Sequence, residues 1–323
     1  MAPSSVIYGL EGLTLTEDER AFFREITPYG YILFTRNIDN PEQLRALTDS
    51  LRELAGHDQL PILIDQEGGR VARMQPPHWP AFPSAKSLVA QGHGDGRAVQ
   101  QLIYDNALKL GNMLKQAGIT VNCAPVADIP TEDSDPIIGD RAYGTLPEQV
   151  ASYAESMADG LMAAGILPVL KHIPGHGRAT VDSHLSLPKV DTQLSVLEQT
   201  DFRPFKALHH LPYAMTAHIV YSALDKGNCA TFSSEVIRYI REKIGYNGLL
   251  MTDDLSMQAL SGNFTSRTEK ALAAGCDLIL HCNGKMEEMV AIAEAVRVID
   301  SRINELTQLA FRRLPTQAVA QPA

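Results

Sequence analysis

Positive charge is scarce in this sequence: 28 lysines and arginines stand against 38 aspartates and glutamates, a net charge of −10, with no basic cluster to break the balance. A chain that grips nucleic acid needs a basic footprint to neutralise phosphates, so no nucleic-acid partner is expected. No apolar run approaches the roughly 18 residues that cross a bilayer, so a membrane partner is not expected either. A repeat of fixed period is missing, which argues against a solenoid or propeller. The four cysteines, Cys123, Cys229, Cys276 and Cys282, lack the close spacing of a metal-binding or disulfide framework. Three of them fall in or beside apolar runs, so they read as buried free thiols in a reducing compartment. Met1-Ala2-Pro3-Ser4-Ser5 carries no positive region and an acidic stretch soon follows, unlike a secretory signal. The expected location is therefore cytoplasmic, and a monomer is the default because no feature speaks for an oligomer.

What the sequence does have is alternation. Eight short apolar runs, at 6–10, 31–34, 61–65, 119–123, 166–170, 213–218, 248–252 and 277–282, are mostly flanked by glycine, proline or polar residues. Such runs suit strands buried on both faces. Segments with helical spacing lie between them, at 41–56, 97–118, 147–165, 233–245 and 286–298. The first shows the local logic: Asn40 as cap, Pro41 at the first helical position and Gly56 as stop. Alternating strands and helices imply a parallel sheet with right-handed crossovers. Eight units predict closure into a single (β/α)8 barrel of the TIM type over residues 1–315, with an open doubly wound sheet as the alternative. A dinucleotide fingerprint after the first strand would favour the open sheet, but Gly9-Leu10-Glu11-Gly12 has the wrong spacing. A last helix at 301–314 is expected to pack outside the barrel. Residues 316–323, small, polar and proline-containing, read as a flexible tail.

In such a barrel the active site lies at the carboxyl ends of the strands. The strand map then becomes a test, and the runs end in Asp65, Asn122 leading to Asp128, Lys171-His172, His218, Asp253-Asp254, and His281 with Asn283. Any single strand can end in a polar residue; five or six ending in Asp, Lys, His and Asn point to a site.

Three segments carry the chemistry. Asp65-Gln66-Glu67-Gly68-Gly69-Arg70-Val71-Ala72-Arg73 reads either as a tight turn with ion-paired arginines or as a carboxylate and arginine fork for sugar hydroxyls. Lys171-His172-Ile173-Pro174-Gly175-His176-Gly177, continuing to Asp182-Ser183-His184, is a long irregular loop, a kind often functional. His172 and His176 have an i, i+4 spacing that invites a metal, but Pro174 and Gly175 oppose the helix this would need, and no metal or cofactor is expected. Asp182 and His184 could be two solvated loop residues. If the loop folds them together, the carboxylate raises the imidazole pKa and fixes its tautomer, making a proton donor near neutral pH. Thr252-Asp253-Asp254-Leu255-Ser256-Met257 puts two carboxylates directly after a strand. Successive strand residues point to opposite sides, so one should face the barrel mouth while Asp254 caps the next helix or pairs with a cation.

Together with the Ile138-Gly139-Asp140-Arg141 turn, these segments resemble the family-three glycoside hydrolases over about residues 9–310. More narrowly, they are similar to the single-domain β-N-acetylglucosaminidases that recycle peptidoglycan fragments in the bacterial cytosol. The resemblance implies a retaining β-N-acetylhexosaminidase acting on a saccharide with a terminal β-linked N-acetylglucosamine. By position it implies Asp253 as nucleophile and His184 as general acid/base with Asp182 as its partner. It also implies Asp65, Arg73, Arg141, Lys171 and His172 as the residues that hold the sugar. The Asp-Ser-His element is what singles out the acetylhexosaminidase branch, and Ile173 departs from the usual Phe at its position. A β-glucosidase, β-xylosidase or glycoside phosphorylase on the same barrel is the competing enzyme reading. A non-catalytic sugar-binding barrel and a metal-dependent hydrolase are more remote.

Overall fold

The structure, a computed structural model, describes residues 2–315. Eight parallel strands form a closed barrel: β1 (Ser4–Gly9), β2 (Pro28–Leu33), β3 (Ile62–Ile64), β4 (Val121–Asn122), β5 (Leu167–Ile173), β6 (Tyr213–Thr216), β7 (Leu249–Asp254) and β8 (Leu278–His281). Each pairs with its neighbours in sequence, and β1 pairs with β8 through Val6↔Ile279 and Ile7↔Leu280 to close the ring. The eight runs read from the sequence are these eight strands, with ends shifted by a few residues, and the open-sheet alternative falls.

Side-chain alternation sorts the strand residues into two cores. Ile7, Ile32, Leu63, Val169, Met251, Leu278 and Leu280 pack together inside the barrel. Their sequence neighbours Tyr8, Tyr31, Ile62, Leu170, Leu250 and Ile279 face the helices. This double burial explains why the strands read as continuous apolar runs.

The helices follow their local signals. Pro41–Ala55 is capped by the Asn40 side chain accepting from the Gln43 N–H at 2.9 Å, and Gly56 ends it at φ +75°. Ser233 caps Ser234–Tyr239 by accepting from Val236 N–H at 3.2 Å. The terminal helix Ser301–Arg312 departs from expectation. It crosses the amino-terminal mouth of the barrel, where Ile303 and Ala310 join the interior core. Tyr29 at the start of β2 bonds both Tyr213 (2.6 Å) and Thr307 (2.8 Å), which ties the helix across that opening. An apolar barrel floor needs a cover, and this amphipathic helix supplies it. The tail expected at 316–323 lies outside the described residues. Among the described residues, no helix is long and apolar enough to cross a membrane, and all four cysteines are buried and free.

Candidate active site

At the carboxyl-terminal mouth a cavity of about 380 Å³ is lined by Asp65, Arg73, Arg141, Lys171, His172, His184 and Asp253, with Phe34, Glu67, Arg70 and Met257 among the other walls. Seven of the eight residues singled out in the sequence meet there. The eighth, Asp182, stands behind His184.

The floor is an ion-pair cluster. β3 leads into a short hairpin, Gln66–Gly68 with Val71–Ala72, in which alternation turns Asp65 and Glu67 one way and Gln66 the other. Gln66 is fully buried: its side-chain oxygen accepts from Arg73 N–H (2.8 Å) and Met74 N–H (3.0 Å), and its amide donates to the Met74 carbonyl at 2.9 Å. That brace fixes the two carboxylates. Lys171 at the end of β5 bonds both, at 2.8 Å to Asp65 and 2.7 Å to Glu67. Arg141 grips Glu67 with two parallel bonds of 2.8 Å, and Arg73 reaches Asp65 at 3.1 Å. Burial alone would raise the Glu67 pKa, but Arg141 and Lys171 outweigh it and hold the pKa down at about 2. The same contest, won by Lys171 and Arg73, keeps Asp65 well below the usual carboxylate range.

The glycine pair in this hairpin serves the turn. Gly68 and Gly69 have φ of +101° and +60°, and a Cβ on Gly68 would come within 2.3 Å of the Pro83 carbonyl oxygen. The tight-turn reading therefore holds, and the same turn sets Asp65, Glu67, Arg70 and Arg73 on the cavity wall. Glu67 was overlooked as a site residue, although its i+2 spacing from Asp65 was a usable signal.

Register shifts interrupt β5 between Lys171 and Ile173 and β7 between Met251 and Asp254. Irregularities of this kind re-aim side chains beside active sites, and here Lys171 and His172, adjacent in sequence, both line the cavity. His172 Nδ1 bonds Asp128 Oδ2 at 2.7 Å, which directs its Nε2 elsewhere. Asp128 is fully buried and also accepts from the His176 N–H at 2.6 Å. The strand map points the exit of β4 toward Asp128, but its contact with His172 follows from the fold, because no sequence motif links the two.

Asp253 accepts the Asp254 N–H on Oδ1 at 2.8 Å. Burial raises its pKa, but His172, His218 and that N–H prevail and keep it low, so it is ionised at neutral pH. Asp254 corrects an expectation. It neither caps a helix nor pairs with a cation, because no helix begins until Phe264. Instead its carboxylate closes a turn, accepting from Ser256 N–H at 3.0 Å and from Cys282 N–H at 3.1 Å, which ties β7 to the loop after β8.

His184 occupies the loop after β5. Its Nδ1 and its backbone N–H each lie 2.8 Å from Asp182 Oδ1, so the pair anticipated from the sequence is formed. His172 bonds Asp128 through Nδ1 and His176 faces the Ser183 hydroxyl through Nε2. Among the described residues, no group of three or more His, Cys, Asp or Glu side chains is arranged to hold a metal ion.

The Glycosyl hydrolase family 3 N terminal domain matches residues 14–313. A beta-hexosaminidase of Alkalilimnicola ehrlichii is 39% identical over 283 residues, covering 86% of this chain and 80% of that protein. One from Idiomarina loihiensis is 33% identical over 301 residues, covering 92% and 87%. The crystal structure of NagZ from Neisseria gonorrhoeae in complex with N-trifluoroacetyl-D-glucosamine is similar with a TM-score of 0.88 at 30% identity, over 96% of this chain and 90% of that one. The chain belongs to glycosyl hydrolase family 3 and is a glycoside hydrolase.

Proposed function

We propose that this enzyme is a retaining exo-β-N-acetylhexosaminidase that releases terminal β-linked N-acetylglucosamine. The beta-hexosaminidase relatives and the aminosugar-bound gonococcal structure support the sugar. The observation that carries the mechanism is that an ionised, half-buried carboxylate at the end of β7 and a carboxylate-backed imidazole on the loop after β5 line one cavity of about 380 Å³.

Glycoside hydrolysis needs one group to protonate the leaving oxygen and another to meet the oxocarbenium-like centre. Asp253 attacks the anomeric carbon from the α face as the bond to the leaving oxygen breaks, and His184 gives that oxygen its proton. Water then attacks the same carbon, His184 takes the water's proton, and the Asp253 ester bond opens, returning the β anomer. An imidazole can both give and take a proton at one nitrogen, so one side chain can serve as acid and then as base.

Asp65, Lys171, Arg73, Arg141 and His172 hold the sugar. The resemblance of the motifs to peptidoglycan-recycling enzymes leads us to assign the natural substrate as muropeptide fragments, N-acetylglucosamine linked to anhydro-N-acetylmuramic acid, cleaved by a monomer in the cytoplasm. Proton NMR of the first sugar released from an aryl β-N-acetylglucosaminide tests activity and stereochemistry together. The β anomer should appear first and mutarotate later; the α anomer appearing first would overturn the mechanism.

A further inference from the structure

Asp182 and His184 stand toward solvent, but the residue between them does not. Ser183 is 2% exposed, whereas the His184 side chain is 61% exposed. The Ser183 hydroxyl turns inward and lies 2.9 Å from His176 Nε2, a hydrogen bond inside the protein. His176 belongs to the ordered base of the loop. It is 3% exposed, its N–H donates to Asp128, and its ring packs edge-on against His172 with centroids 5.4 Å apart. Burial and the neighbouring His172 push its pKa down to about 4, so this ring stays neutral near pH 7.

The Asp182–His184 bond cannot do what this contact does. Both partners ride on the same loop, so their bond orients the ring within the loop and leaves the loop's place over the cavity unspecified. Among the described residues, segment 182–187 has two hydrogen bonds to the rest of the chain: Ser183 to His176, and the Gln258 N–H to the His184 carbonyl at 3.3 Å.

We propose that the Ser183–His176 hydrogen bond is a latch that seats the Asp182–His184 pair over the cavity, which makes Ser183 and His176 positioning residues for proton transfer. The latch ends on Asp128, the same carboxylate that fixes His172, so the sugar wall and the proton-carrying loop share one foundation. The inference rests on the acid/base reading of His184.

The test compares kcat/KM on an activated aryl N-acetylglucosaminide, whose phenol leaves without a proton, with kcat/KM on an N-acetylglucosamine disaccharide, whose leaving group needs one. Ser183→Ala and His176→Phe, which keeps a ring in the packed site, are measured singly and together, with thermal melts to confirm folding. The aryl-to-disaccharide ratio should rise about tenfold in each single variant, the scale of one hydrogen bond. The double variant should also show about tenfold rather than a hundredfold, because both changes remove one contact. An unchanged ratio in Ser183→Ala, or a fully additive double variant, would overturn the latch. His184→Ala separates the two readings. A large rise there beside an unchanged Ser183→Ala removes the latch alone; no rise in His184→Ala removes both.

Discussion

Lys171 and His184 reach the same cavity from the same strand and the loop that follows it, yet the Lys171 side chain is 3% exposed and that of His184 is 61%. The floor around Lys171 is an ion-pair cluster in which Arg73, Arg141 and Lys171 surround Asp65 and Glu67, with Lys171, Arg141 and Glu67 almost wholly out of water. Groups paired this closely in a low-dielectric setting hold their geometry, and removing one member weakens the hold on the others. The Asp182–His184 pair is open to solvent on its imidazole side, which is 61% exposed, and such an ion pair contributes little to stability. A sugar needs a fixed rack, while a proton carrier must serve a leaving group and then a water. The division of labour follows from burial.

That contrast can be broken by experiment, starting from the residue that belongs to neither half. Asp253→Asn should lower kcat/KM by roughly 10⁴-fold or more with the melting temperature unchanged, since a nucleophile is lost. Near-normal turnover would remove its role. Lys171→Met should remove the cation that bridges Asp65 and Glu67 and leave each carboxylate with its arginine alone, costing about 1–3 kcal/mol in chemical denaturation; a loss below about 1 kcal/mol would mean the floor is not the rigid half. Asp182→Asn should do the reverse, changing stability by less than about 1 kcal/mol while lowering kcat/KM on a disaccharide by roughly 10²-fold. Equal stability losses in these two variants would erase the contrast.

The smallest effect is one of pH. Because the Glu67 pKa is held at about 2 in the folded state, below the ~4.3 of an unfolded glutamate, its contribution is complete above that unfolded value. It fades as pH falls from there toward 2. Denaturation midpoints should begin to decline below about pH 6.5, where the unfolded chain protonates a histidine that stays neutral when buried, as His176 does with its pKa pushed down to about 4, and should fall more steeply below about 4.3 as Glu67 adds its share. Glu67→Gln should decline less steeply over that acid range; a parallel decline would show that Glu67 is not stabilised by its partners.

The two halves also differed in how much of them could be read in advance. The barrel was legible because each strand is short, apolar on both faces and punctuated, and because Asn40, Pro41 and Gly56 mark a helix in the ordinary way. The floor was legible in part: Asp65 and Lys171 end strands, but Asp128 joins the site from a loop whose approach to His172 is set by tertiary packing. Asp254 misled because a carboxylate after a strand resembles a helix cap, and only coordinates reveal that the chain turns toward Cys282 first. Ser183 was hidden for the opposite reason. A serine between two polar loop residues looks solvated, and nothing in its neighbours foretells an inward hydroxyl. The terminal helix was likewise visible as a helix, but its position under the barrel depends on Tyr29 and Thr307, 278 residues apart.

The proposed mechanism requires an aspartate and an imidazole facing one another across a single sugar. His184→Ala incubated with an activated aryl N-acetylglucosaminide should form the glycosyl-enzyme readily and resolve it slowly, for want of a base. Mass spectrometry of the quenched variant, followed by peptide mapping, should therefore find one N-acetylhexosaminyl unit esterified to Asp253. An adduct on Asp254 or on any other side chain, or unmodified enzyme during steady release of the phenol, would contradict it.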